Sequence, residues 1–347
     1  MKRIRTIPVK VGNLIIGGGN PIVVQTMTKT LTTNIEDTVQ QIKQIEQVGG
    51  KLVRLAVPDS ASADAIKVIK SKVKIPLVAD VHFNYKLAIQ CIKNGIDKVR
   101  INPANIGSLD RVVEIIKAAK DYDVAVRIGL NAGSYKRRVK NIKSLIIAQA
   151  EKFVDIFEKY RFKKLVISAK TADVSSTVEI YQTLAKRYKY PLHLGITEAG
   201  PLLEGSIKSA LGIGILLWNG IGDTIRVSLS SSPVDEVKVG YTILQSLGLA
   251  RYGVDLISCP TCGRCKVDLL SIITKFQEEL RRKKLEYKNL KVAIMGCEVN
   301  GPGEASSADV GIALGKNSGV LFVKGKILKK VSIEDCVDEL IEQMYKL

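Results

Sequence analysis

The stretch IPLVAD (Ile75–Asp80), YKLAIQCIKNG (Tyr85–Gly95) and KVRIN (Lys98–Asn102) sets a short β-branched run, an apolar helical pattern and a second short run in succession. Apolar residues three and four apart in the middle segment share one side of a helix, while the flanking runs have strand length. A strand, a covering helix and a second strand in this order form the unit of a parallel sheet. Six further runs extend the pattern: IVVQTM from Ile22, KLVRLAV from Lys51, VAVRIG from Val124, KLVISAK from Lys164, LHLGIT from Leu192 and TIRVSL from Thr224. Amphipathic segments such as NIEDTVQQIKQIEQVG and SADAIKVIKSK lie between runs. Eight runs predict an α/β fold of the TIM-type (β/α)8 barrel class, with a doubly wound sheet as the rival.

The ends of the runs carry the chemistry. Polar residues stand at or just beyond them: Gln25 and Thr28, Arg54, Asp80 and His82, Arg100 and Asn102, Arg127 and Asn131, Ser168 and Lys170, Glu198, and Arg226 and Ser228. A barrel gathers all eight C-terminal strand ends on one face, so four arginines and a lysine there form an anion trap. The plainer reading pairs each strand arginine with a flanking carboxylate, and reads Asn102, Asn131, Ser168 and Ser228 as caps. His82 follows a run and is expected at the mouth; His193 falls inside one and is expected in the core.

With 347 residues, 46% of them hydrophobic, the chain can bury a large domain core and a smaller one. We expect a barrel over residues 1–245 and a small α/β domain over 246–347. The basic N-terminus lacks the apolar core of a leader, and no apolar run approaches the roughly 20 residues of a membrane span. A cytoplasmic protein with no membrane partner is expected. The formal charge of +19 fits nucleic acid, lipid or a small anion equally, but aromatic residues make up only 5% of the chain, too few for a base-stacking platform. The basic clusters Lys136–Arg138 and Arg281–Lys284 read as solvated surface, and nucleic acid is not the expected partner.

Three of the six cysteines, Cys259, Cys262 and Cys265, sit in SCPTCGRC, and Cys297 follows 32 residues later in MGCEVNGPGEA. Thiolates two residues apart can wrap one metal or one iron-sulfur cluster, with a distant cysteine clipping the loop to its domain. The fourth corner has two candidates. Cys265 gives a four-cysteine set suited to zinc or an electron-transfer cluster, and spacing alone favours it. Glu304, across NGPG, gives a more displaceable carboxylate and a Lewis-acid site. Cys91 and Cys336 read as core cysteines. No phosphate-binding glycine loop or dinucleotide fingerprint is present.

Taken together, PIVVQTMTKT, VRLAVP, LVADVHFNY, KVRINPANIG, VRIGLNAGS, ISAKTADV, LGITEAG, GIGDTIRVSL, SCPTCGR and MGCEVNGPGEA resemble the bacterial two-domain form of the 4-hydroxy-3-methylbut-2-enyl diphosphate synthase family. The resemblance covers nearly the whole chain. It implies a TIM-type barrel followed by a small domain like those of sulfite and nitrite reductases, carrying a [4Fe-4S] cluster on Cys259, Cys262, Cys297 and Glu304. It further implies reductive ring opening and dehydration of 2-C-methyl-D-erythritol 2,4-cyclodiphosphate to (E)-4-hydroxy-3-methylbut-2-enyl diphosphate, in the methylerythritol phosphate route to isoprenoids. Arg54, Arg100, Arg127 and Lys170, with His82, Asn131 and Ser228, are expected to hold the diphosphate. Glu198 is expected to move a proton or steady developing charge. Reduced flavodoxin or ferredoxin is the implied electron donor, and the implied assembly is a homodimer in which one copy's cluster domain caps the other's barrel. The rival readings are an iron-sulfur enzyme or carrier with another anionic substrate and a zinc-binding basic module.

Overall fold

The structure is a computed structural model that describes residues 2–135, 141–297 and 299–347; the basic cluster Lys136–Arg138 lies outside the described residues. Contacts divide the chain into one unit ending at Ala250 and a second beginning at Arg251.

In the first unit a hairpin of β1 (Val9–Val11) and β2 (Leu14–Ile16) precedes β3 (Val23–Met27), α1 (Ile35–Gln47), β4 (Leu52–Ala56), α2 (Ser60–Lys72), β5 (Leu77–Val81) and α3 (Tyr85–Lys93). The alternation continues through β6 (Lys98–Ile101), α4 (Leu109–Asp121), β7 (Ala125–Asn131), α5 (Ile142–Lys159), β8 (Leu165–Lys170) and α6 (Val174–Arg187). It ends with β9 (His193–Leu194), α7 (Leu202–Trp218), β10 (Thr224–Ile225) and α8 (Pro233–Ser246). Asn34, Asp59, Asn84, Asn141, Asp173 and Ser232 each accept a first-turn N–H, so every one of these loops ends by capping the helix it feeds.

All eight expected runs are strands β3 to β10. They pair in parallel in the order β8-β7-β6-β5-β4-β3-β10-β9, and a parallel bridge from Ile167 to Leu192 closes the ring. This is the barrel, and the doubly wound alternative falls. The hairpin β1–β2 was not anticipated. Its Val9, Val11 and Ile16 pack on Val23, Leu52, Val78, Ala125 and Val166, the inward residues at or near the N-terminal strand ends, so it closes the barrel floor. Two residues per inward step then place Arg54 above Leu52, Asp80 above Val78, Arg127 above Ala125 and Ser168 above Val166. The DEVKVG segment that starts at Asp235 does not lead straight into the cysteine loop. Instead α8 packs on the barrel against β3 and α1, and an unexpected strand intervenes.

That strand, β11 (Val254–Ser258), opens the second unit. It is followed by α9 (Leu269–Arg282), β12 (Leu290–Met295), α10 (Gly301–Ser306), β13 (Val310–Leu314), β14 (Ser318–Val323), β15 (Lys326–Ser332) and α11 (Cys336–Lys346). The sheet runs in chain order, with β11, β12 and β13 parallel and β14 and β15 antiparallel. Phe276 and Leu280 of α9, with Val337, Leu340, Ile341 and Met344 of α11, share a core with Val292, Ile294, Val310, Ile312 and Leu321 of the sheet. Ala305 of α10 packs with Ala293, Met295, Ala313 and Phe322 in a separate cluster. β15 is an edge strand whose exposed Lys326, Lys329 and Lys330 oppose further pairing.

Candidate active site

At the C-terminal ends of the barrel strands, Met27, Arg54, Asp80, His82, Arg100, Arg127, Asn131, Ser168, Lys170, Thr197, Arg226 and Ser228 line a cavity of about 200 Å³. All seven residues expected to bind the diphosphate therefore share one chamber. Asp80 organises its cations. It accepts from Arg100 Nη1 at 2.8 Å and lies 3.5 Å from Arg54 Nε and 3.6 Å from His82 Nε2. Burial alone would raise the Asp80 carboxyl, but Arg54, Arg100 and His82 hold it well below the usual carboxylate range. The plainer reading of paired strand arginines is thus true of Arg54 and Arg100, yet one carboxylate is shared between them.

Backbone and neutral groups hold the cations as well, and no carboxylate among the described residues pairs with Arg127 or Lys170. Arg100 Nη2 donates to the Gly129 carbonyl at 2.8 Å; a Cβ on Gly129 would stand 2.2 Å from Arg100 Nε, so only glycine lets the guanidinium cross β7 here. Arg127 is 1% exposed, and its Nε and Nη2 have no partner among the described residues. Lys170 Nζ lies 3.2 Å from His193 Nε2, while His193 Nδ1 meets Thr224 Oγ1. Burial, then the surrounding cations, pushes Arg127 and Lys170 well below their ordinary ranges and brings Arg54 to about 10. Buried donors lacking counter-charge are what an anion-binding chamber requires.

Asn131 Nδ2 donates to Thr197 Oγ1 at 3.2 Å and its Oδ1 accepts from Gly133 N at 3.3 Å, so it caps a turn while facing the cavity. Glu198, exposed on the loop after β9, has a φ of +53°. This left-handed backbone is uncommon outside glycine and asparagine, and it brings Oε1 beside Gly133.

Sequence reasoning left Glu236 unassigned. Buried in the first turns of α8, it accepts from Thr26 Oγ1 at 2.7 Å, Arg226 Nη2 at 3.2 Å and Leu229 N at 3.1 Å, steadying both Arg226 and the Ser228 loop. Its signal was the capping pattern Ser232–Asp235 immediately before it.

In the second unit, Cys259 and Cys262 follow β11, and Cys297 follows β12. Cys259 Sγ accepts from Thr261 N at 3.3 Å. The Cys262 thiol is lowered by the Arg264 backbone N–H, and the Cys297 thiol by the N–H groups of Asn300, Val299 and Gly301. Donors aimed at sulfur favour thiolates, the form that ligates iron. Cys265 behaves differently: its Sγ donates to the Val267 carbonyl at 3.3 Å, and the side chain packs against the α9 core. Glu304 is exposed on α10. Among the described residues no three Cys, His, Asp or Glu side chains converge in the manner of a single-metal site. Cys91 and Cys336 are buried, as expected of core cysteines.

A family model described as GcpE TIM-barrel domain matches residues 6–241, and one described as GcpE protein C-terminal domain matches residues 255–346. A relative from Caldanaerobacter subterraneus subsp. tengcongensis is 51% identical over 98% of this chain and 96% of its own. Another, from Thermodesulfovibrio yellowstonii, is 49% identical over the whole of both chains. Both are named 4-hydroxy-3-methylbut-2-en-1-yl diphosphate synthase (flavodoxin). Among solved structures, the dihydropteroate synthase of Xanthomonas albilineans aligns with 70% of this chain and 98% of its own at a TM-score of 0.51 and 12% identity. That of Yersinia pestis aligns with 70% and 99% at 0.52 and 11%. At such identities these two share the fold alone.

Proposed function

Since the chain belongs to the GcpE family across both of its units, we propose that it opens and reductively dehydrates 2-C-methyl-D-erythritol 2,4-cyclodiphosphate to (E)-4-hydroxy-3-methylbut-2-enyl diphosphate. The observation that carries the reading is the chamber of Arg54, Arg100, Arg127, Lys170 and Arg226, in which, among the described residues, only Asp80 and Glu236 supply counter-charge. A diphosphate supplies the missing negative charge. Arg100 and Arg127 offer planar forks to its oxygens, Lys170 a point charge, and His82, Asn131 and Ser228 neutral hydrogen bonds. Because these groups are fixed by β-strands and by Asp80, little reorganisation accompanies binding.

Cys259, Cys262 and Cys297 would hold a [4Fe-4S] cluster, with Glu304 at the fourth corner. The N–H donors on the three sulfurs and the inward S–H of Cys265 support this ligand set over a four-cysteine one. When bound, the cluster supplies electrons one at a time and an iron Lewis acid. Glu198 is the proton-handling group at the chamber rim; its left-handed backbone aims the carboxylate toward Gly133 beside Asn131. Reduced flavodoxin, the donor in the relatives' names, is the electron source. We place the chain in the cytoplasm, where its cysteines stay reduced and three of them open to iron, and in a homodimer whose cluster domains each cap the other copy's barrel. The exposed Leu203, Ile207, Leu211 and Trp218 along α7 suit contact with a second copy.

The test is turnover of the cyclic diphosphate by anaerobically purified protein given reduced flavodoxin, with iron and sulfide assayed alongside. The expected result is product formation with about four irons and four sulfides per chain, and loss of tight substrate binding in Arg127→Met. A cluster-loaded protein that neither binds nor converts the compound would refute the reading.

A further inference from the structure

One buried ionisable group has no part in the chemistry above. Lys98 begins β6, one inward step below Arg100, and is 0% exposed; its Nζ has no hydrogen-bond partner among the described residues. An amine sealed inside a barrel without an acceptor is costly as an ammonium and far less so as a free amine. The charged groups acting on it are Arg127 of β7, Arg54 of β4 and Asp97 at its own strand's entry, while His193 of β9 is a titratable group that faces it. Asp97, the one carboxylate among them, is occupied elsewhere: it pairs with Lys70 and accepts from Leu77 N at 2.8 Å. Burial first, then Arg127 and Arg54, pushes the Lys98 ammonium well below its ordinary range, against a smaller opposing pull from Asp97.

We propose that Lys98 is a charge-compensating residue of substrate binding: a neutral amine before the diphosphate arrives, it takes up one proton from solvent as the diphosphate settles above it. The step breaks no covalent bond of the substrate; the amine lone pair accepts a proton and the buffer loses one. The inference rests on the substrate class proposed above. In a 2,4-cyclodiphosphate each phosphorus keeps a single ionised oxygen of low pKa, so the ligand brings two negative charges and does not itself titrate near neutrality. Those charges enter beside Arg54 and Arg127, the cations that disfavour a charge on Lys98, and reverse the field it experiences.

His193 and Lys170 are the competitors for the proton; Lys170 Nζ has His193 Nε2 as an acceptor at 3.2 Å whereas Lys98 has none, and the bonding of His193 argues against the ring. Its Nε2 already meets Lys170 Nζ at 3.2 Å, and its Nδ1 meets Thr224. A neutral ring donating from Nδ1 and accepting at Nε2 satisfies both contacts, whereas a protonated ring would turn a donor against the N–H groups of Lys170 Nζ. Lys98 has no such bond to lose.

The experiment is titration calorimetry of the cluster-loaded enzyme with the cyclic diphosphate, without reductant, in two buffers of different ionisation enthalpy. Net uptake approaching one proton per site is expected, with Kd weakening up to about tenfold per pH unit as pH rises through the linkage window. In Lys98→Met the uptake disappears and Kd becomes flat with pH, while His193→Gln retains the uptake. Binding without uptake in the unaltered enzyme overturns the inference whether or not Lys98→Met folds, as does uptake that persists in Lys98→Met or vanishes only in His193→Gln. Absence of any binding would count against the substrate assignment instead.

Discussion

Asp80 and Gly129 show how individual residues set the chamber. With Asp80 removed, Arg54 and Arg100 become buried cations lacking their common carboxylate, and breaking a buried pair of this kind costs about 3 to 5 kcal/mol. Asp80→Asn is therefore expected to lower chemical-denaturation stability by an amount near that range. Because the folded carboxyl is held below its unfolded value, its contribution is present above about pH 4 and is lost as pH falls from there toward the depressed folded value. Denaturation midpoints followed below pH 4 should thus fall less steeply in the variant than in the parent. Gly129→Ala acts differently. Its Cβ would meet Arg100 Nε at 2.2 Å, so the guanidinium must move off Asp80 and the Gly129 carbonyl; substrate KM is expected to rise at least tenfold, with a loss of fold stability comparable to that of Asp80→Asn. The chamber residues were legible in the sequence because strand ends alternate in steps of two: Arg54, Asp80 and His82, Arg100, Arg127 and Lys170 all fall on inward positions. The need for glycine at residue 129 was not legible, since it arises from an arginine on the neighbouring strand, and neither was the pairing of Glu236 with Arg226.

At the level of elements, the eight barrel strands could be read because each is a short apolar run between amphipathic helices, and the helices because their loops end in Asn, Asp or Ser caps. The two missed features are short. β1 and β2 have three residues each and acquire meaning only by packing on strands far along the chain. β11 was not read as a strand although Val254 and Leu256 alternate with Asp255. The hairpin supplies fully buried Val9, Val11 and Ile16. Val11→Asp places an unpaired carboxylate among apolar strand ends, and a loss of several kcal/mol is expected in denaturant titrations. Along β15, replacing Lys329 and Lys330 together by valine removes the charges that guard an open sheet edge. Light scattering should then report concentration-dependent growth beyond the size that the parent reaches.

Across the whole molecule, a formal charge of +19 should accelerate encounter with an acidic electron carrier. The rate of cluster reduction by flavodoxin is expected to fall as ionic strength rises, whereas a salt-insensitive rate would show that surface charge does not guide the encounter. The barrel is also closed at one end. With Val9, Val11 and Ile16 stoppering the N-terminal ends of the strands, the chamber is a cul-de-sac: what enters with a diphosphate must leave by the same opening, still carrying one. Traffic through that doorway is one-at-a-time, so each departing product holds the place of the next arrival, and product should inhibit as a straightforward competitor of substrate.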